Sequence, residues 1–272
     1  MKRILLMVLA SLWLGCALAD DIAQQKVEQA LQLVGMESHF SELQHTLVRG
    51  LQQRRFEGVP SGALSYSELE VLIKKHFDPR LLNTRLAESM AEQYDANRFD
   101  LLLSSLGSEQ VQRVRLRIER AAAEENLEQL RAFARDYKEE PLSQQKSYII
   151  DGLDRASAGN ELYAGIQALA TLTMLRLQEV QEGIAPQFEE GMLLQQLYSE
   201  YIESGRYTTE MIYRSALGEL TPEQLQLSLR VYRSTVVQWF LGLAVDNLTL
   251  VVSAQREHLL NTVREAVNSP ST

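Results

Sequence analysis

Cysteine is nearly missing from this chain of 272 residues, and its one copy, Cys16, lies close to the N-terminus. A single thiol cannot close an internal disulfide. It also cannot build a structural thiolate metal centre, which draws several ligands onto one ion. Glycine (14 residues), proline (6) and tryptophan (2) are scarce as well. The glycines are isolated, so there is no Gly-rich loop to cradle a phosphate and no Gly-x-Ser-x-Gly elbow. Gly107-Ser108 and Ser204-Gly205 read as helix boundaries. Positive charge is in deficit, with 27 Lys and Arg against 36 Asp and Glu. Nucleic-acid binding needs clustered bases to neutralise phosphates, so this balance argues against such a partner. It argues equally against general attraction to anionic lipid.

Strand patterns are also lacking. Val114 to Ile118 alternates apolar and basic residues, but turn chemistry is absent and helix formers flank it, so it too reads as helix. Leu, Gln, Glu, Ala and Arg dominate the chain, and these are strong helix formers. Apolar residues recur at three- and four-residue spacing almost throughout. Val27, Leu31 and Val34 mark a first helix ending near Gly35. Phe40, Leu43, Leu47 and Leu51 mark a second, which Gly58-Val59-Pro60-Ser61-Gly62 terminates. Asp78-Pro79 supplies a cap and a proline at the first helical position, ahead of Leu82, Leu86, Met90 and Tyr94. Asp95 caps a helix carrying Phe99, Leu102, Leu103 and Leu106. Ser108 is expected to open one long charged helix through Val111, Val114, Ile118, Leu127, Leu130 and Phe133, stopping before Pro141. Helix is then expected from Tyr148 through Leu177 and again after Pro186. Thr221-Pro222-Glu223-Gln224 is the clearest helix start in the chain.

The first 19 residues read as an export signal. Met1-Lys2-Arg3 give a positive start, Ile4 to Leu14 an apolar run, and Ala17-Leu18-Ala19 a small-x-small cleavage site before Asp20. The run is shorter than the ~20 residues of a permanent span. Cleavage between Ala19 and Asp20 predicts a periplasmic protein without cysteine. Its net charge goes from −9 to −11, because Lys2 and Arg3 leave with the signal. Leu14-Gly15-Cys16-Ala17 opens a second reading, an outer-membrane lipoprotein acylated at Cys16, although Trp13 stands where such signals usually carry Leu.

The two halves resemble each other. Val27-Glu28-Gln29-Ala30-Leu31 aligns with Ile149-Ile150-Asp151-Gly152-Leu153, 122 residues later. Asp95 to Phe99 aligns with Thr221 to Leu225, 126 residues later, and Ser108 with Ser234. Collinear matches at nearly equal offsets predict an internal duplication. The expected fold is all-α and multi-helical, with eleven or twelve helices in two pseudo-repeated halves packed together. The expected boundaries are 20–141 and 142–267, with a disordered tail over 268–272.

Val27-Glu28-Gln29-Ala30-Leu31-Gln32-Leu33-Val34-Gly35-Met36 resembles the opening of a bacterial family of exported helical proteins, catalogued as domain of unknown function 2059. Leu220 to Leu225, continuing to Val231-Tyr232-Arg233-Ser234, is similar to that family's Leu-Thr-x-Glu-Glu-Leu…Phe-Tyr-x-Ser signature. Thr235-Val236-Val237 replaces the usual Pro-x-Gly. The resemblance implies a fold and a compartment, and no reaction.

Candidate chemistry is sparse. His39, His45, His76 and His258 show no metal-ligand spacing, and no metal or other cofactor is expected. Glu124-Glu125, Glu139-Glu140 and Glu189-Glu190 read as solvated faces, because acid–base catalysis needs two carboxylates in different, partly buried environments. Trp239, the one tryptophan outside the signal, lies in an apolar stretch, which weakens a sugar-cleaving reading. Arg113, Arg117 and Arg120 share one helical face, with Arg115 beside them. They suit an anionic ligand or an acidic partner surface, or else a salt-bridge face with Glu109, Glu124 or Glu128. The apolar run from Val236 to Val252 is interrupted by Gln238, Asp246 and Asn247. It reads as a core helix or a surface for a partner helix rather than a span. Asn247-Leu248-Thr249 lies mid-helix, where a glycosylation acceptor carries no weight.

The leading expectation is a non-enzymatic exported protein acting through helix-lined surfaces on a protein or envelope partner. Such a protein should expose an apolar groove or patch. The alternative is a hydrolase with carboxylates in a groove between the halves, which requires a polar cleft with at least two perturbed acids.

Overall fold

The structure, a computed structural model, describes residues 21–60, 62–123, 126–137 and 142–268. The signal segment with Cys16, Ala19 and Asp20, the pairs Glu124-Glu125 and Glu139-Glu140, and Pro141 lie outside the described residues. The described chain is all-α. Helix α1 covers 21–34. It is followed by α2 (Met36–Phe56), α3 (Tyr66–His76), α4 (Pro79–Ala91), α5 (Ala96–Leu106), α6 (Glu109–Ala122), α7 (Leu127–Asp136), α8 (Gln144–Ala156), α9 (Gly159–Glu182), α10 (Glu190–Leu217), α11 (Pro222–Tyr232) and α12 (Thr235–Asn268). The last helix includes Asn268, where the sequence reading starts its tail.

Local chemistry accounts for the starts. Asp78 Oδ1 accepts from the Arg80 and Leu81 amides ahead of Pro79. Asp95 Oδ1 accepts from the Arg98 amide. Thr221 and Gln224 form a reciprocal capping box. The helical stretch expected from Tyr148 to Leu177 consists of two helices. Ala158, the one non-glycine residue with positive φ among those described, turns the chain between α8 and α9 at φ 56°. The long helix predicted from Ser108 to Phe133 is broken. Ala123 leaves the helical region at ψ 139°, Asn126 Nδ2 donates to the Arg120 carbonyl, and α7 starts afresh. Helix α3 has a signal that the periodicity reading passed over, the capping box between Ser65 and Glu68.

One hydrophobic core runs through both halves, from Val27 and Phe40 to Leu248 and Val263. The halves exchange helices across it. Helix α6 packs on α10 and α11, while α12 packs on α4 and α5 and α2 lies along α9. Helix α12 has the length and composition of a membrane span, and half of its most apolar window is buried in this core. Asn247 is buried there, with its amide donating to the Leu243 carbonyl and Ser89 Oγ on its Oδ1 at 2.5 Å.

Helix boundaries recur along the chain. The residues in left-handed conformation that end α1 and α8, Gly35 and Ala158, are 123 positions apart. Helix α9 has 24 residues and α2 has 21. Beyond those three extra residues the spacing is 126. It relates the ends of α2 and α9, the ends of α4 and α10, both ends of α5 and α11, and the starts of α6 and α12. Side chains follow the same spacing. Gln112 Nε2 donates to the carbonyls of Leu33 (3.0 Å) and Leu106 (2.8 Å). Gln238 Nε2 donates to Ala156 (2.6 Å) and Tyr232 (2.7 Å). Each glutamine thereby ties together the C-terminal ends of two helices, whose last carbonyls have no partner within the helix. Ser108 and Ser234 both bury a hydroxyl without a hydrogen-bond partner.

The matching of boundaries fails after Ala122, where α12 runs on through the positions equivalent to the break between α6 and α7, and again between α3 and α4. Pro79 ends the α3 direction and starts α4, and α3 folds back to bury Leu69 and Ile73. The positions 126 residues on are Gly205, Gln195 and Ser199, and there α10 runs straight through. Its segment 190–204 contains no buried residue, and burial begins only at Gly205, which packs against the Tyr163 ring.

Candidate functional site

That straight extension of α10 leaves a groove. Leu162, Gly165 and Leu169 of α9 form its floor, with Leu194 and Tyr198 of α10 on one side and Leu248 of α12 on the other. The cavity measures about 240 Å³ and is mainly apolar. Among the described residues that line it, Glu161 alone carries a charge. Met192 and Leu250, both more than 60% exposed, lie on the two wall helices.

The Glu161 end of the groove is the N-terminus of α9. Asp154, in the last turns of α8, feels both burial and the charge of Glu161, and these push its carboxyl up to about 6. The Asn160 backbone N–H donates to the same carboxylate and limits the rise. Asn160 Nδ2 donates to the Ile202 carbonyl at 3.1 Å, fixing the amide orientation and anchoring α9 on α10. Ser157 Oγ and Tyr213 OH are 2.6 Å apart, and burial holds the phenol well above its ordinary range. Gly159 is forced by space, because a Cβ there would stand 2.5 Å from Tyr213 OH and 2.6 Å from Asp154 Oδ1. Three acceptor oxygens at this corner are buried without a hydrogen-bond partner, namely Asp154 Oδ1, Asn160 Oδ1 and Glu161 Oε2.

A second cavity, of about 270 Å³, lies between the C-terminal ends of α9 and α12. Arg176 and Arg264 line it. Arg176 Nη2 donates to the Phe188 carbonyl at 2.8 Å and Nη1 to Glu179 at 2.8 Å. Arg256, 1% exposed, pairs with Glu190. Two buried arginines therefore hold the entry to α10, Arg176 through the loop carbonyl of Phe188 and Arg256 through Glu190 in the first turn of the helix.

The arginine face predicted on α6 is largely engaged. Arg113 pairs with Glu109 at 2.6 Å, and Arg117 reaches Glu219 at 3.3 Å. Arg120 is exposed, and Arg115 is bonded to Glu119 and Gln112. Glu128 pairs with Arg131 instead of this face. Glu189 caps α10 through the Gly191 and Met192 amides. His39 is held neutral by burial, which lowers it to about 4, and burial also lowers His76. No group of three or more His, Cys, Asp or Glu with the arrangement of a metal site is present among the described residues.

Sequence reading did not single out Asp154, Asn160, Glu161 or Tyr198. The usable signal was Ser157-Ala158-Gly159-Asn160, a cluster of turn-prone residues inside an otherwise helical pattern. Compared with known proteins, the chain matches no protein-family model, no curated protein and no solved structure.

Proposed function

We propose that this chain is an exported, non-enzymatic helical binding protein of the bacterial envelope, holding its ligand in the groove between α9, α10 and α12. The observation that carries this reading is the mainly apolar cavity of about 240 Å³, left along a stretch of α10, residues 190–204, in which no residue is fully buried. Concave, mainly apolar sites with few polar groups are the usual form of small-molecule sites. Export is supported by the signal-like segment over 1–19, and by the resemblance to exported helical proteins of domain of unknown function 2059. The recurring helix boundaries and the paired Gln112 and Gln238 bridges support two related halves. In this reading the first half is scaffold and the second has been adapted, by loss of the Pro79 break, into a binding half.

Intact-mass and native mass spectrometry of protein from its own envelope fraction test this. A chain beginning at Asp20 and carrying a small molecule that is lost in Gly165→Leu is the expected result. A Cβ at Gly165 meets nothing closer than Leu248 at 4.0 Å, so leucine there fills the groove with little strain elsewhere. A chain still carrying Met1 refutes export. A chain starting at acylated Cys16 replaces the soluble form with an anchored one.

A further inference from the structure

We infer that the ligand of this groove is an amphiphilic amine, with its ammonium at Glu161 and its apolar body along Leu162, Gly165, Leu169 and Leu248. This assignment rests on the groove being the binding site.

Charge carries the assignment. The cavity wall is mainly apolar, with Gln195, Tyr198 and Thr249 as its neutral polar groups, and Glu161 is the one charged residue among the described residues that line it. Asp154 stands outside the lining but close enough to Glu161 for the two charges to interact, which adds negative potential behind that end of the groove. No Lys, Arg or His is among the described residues lining the cavity, so nothing in the wall offsets the Glu161 carboxylate. A primary ammonium brings one positive charge and three N–H donors in a compact group. An alcohol brings one donor and no charge. A carboxylate brings no donor and would meet a like charge.

The size of the cavity points the same way. At about 240 Å³ it lies below the ~300–1,000 Å³ of sites for larger organic ligands. A short alkyl body suits it, and n-octylammonium is the probe of choice.

Isothermal titration of the mature chain, residues 20–272, with n-octylammonium, n-octanol and octanoate tests the assignment. Octylammonium should bind at least tenfold more tightly than octanol, and octanoate should not bind. Glu161→Gln should bring octylammonium down to the level of octanol and leave octanol unchanged, which also shows that the variant is folded. Gly165→Leu should remove both. Equal affinity for the three probes, or an unchanged octylammonium affinity in Glu161→Gln, overturns the amine while leaving an apolar groove. If none of the three binds, the groove itself fails as the site.

Discussion

Removing the amide of Gln238 tests whether the helix ends are held by the bonds described. Gln238→Ala deletes two donors at once, from the carbonyls of Ala156 and Tyr232 at 2.6 and 2.7 Å. Both of those residues are buried, at 7% and 4% exposure, so water replaces the lost donors poorly. A buried acceptor left unpaired costs about 1–3 kcal/mol, and some relaxation is available at a helix end. The expected loss is therefore about 2–3 kcal/mol. In a chain of this length that lowers the melting temperature by roughly 4–10 °C. Gln112→Ala removes the equivalent pair, to Leu33 and Leu106, and should lose a similar amount. Gln238→Glu sharpens the test, because it keeps the shape but turns a donor toward two carbonyls into a charged acceptor. It should cost more than alanine at neutral pH. Urea unfolding with a fixed m-value is the assay. Losses below about 0.5 kcal/mol for both alanine variants, or a Gln238→Glu milder than alanine, would refute the reasoning.

Asp154 should make folding pH-dependent in a definite direction. Its folded pKa, about 6, stands above the ordinary aspartate value of 3.8, so the native state binds more protons between those values. Its unfavourable contribution is absent below about pH 4, grows as pH rises through 6, and is complete above that. Asp154→Asn should therefore stabilise by about 1 kcal/mol at pH 7.5, after allowance for partial exposure, and by nothing at pH 4. Equal effects at both pH values in urea titrations would rule this out. Gly35→Ala should lose about 1–3 kcal/mol, because Gly35 has φ 81° and a Cβ there would press on the Glu119 carboxylate at 2.1 Å. A melting temperature within 1–2 °C of the parent would show that α1 and α2 are joined more loosely than described.

The elements most legible in the sequence were those with local chemistry. Asp78-Pro79, Asp95 and Thr221-Pro222 announce helix starts through a capping oxygen and a preset φ, and each capping bond is present. The core positions Phe40, Leu43, Leu82, Phe99 and Val237 followed from 3.6-residue spacing, and all are buried. The break at Ala123 was illegible because alanine is a good helix former. The break at Ala158 had a signal in Ser157-Ala158-Gly159-Asn160, but apolar spacing continues across it and masks the turn. The groove was illegible for a related reason. Its lining comes from three helices, and what opens it is the absence of a break at Gly205, where the first half has Pro79. Asp154 and Glu161, seven residues apart, carry no motif. What brings them together is a turn that the sequence pattern runs straight through.

The exchange of helices between the halves has a consequence for how the chain comes to be folded. The buried side of α6, Val111 and Val114, is covered by α10 and α11, which follow by roughly a hundred residues. The first half therefore leaves the ribosome, and in our reading crosses the membrane, well before its own covering exists. Such distant pairings delay closure of the core and keep apolar surface open for longer. For an exported chain that delay is useful, because translocation needs an unfolded substrate. It also leaves α4 and α5 without their cover until α12 arrives to settle on them.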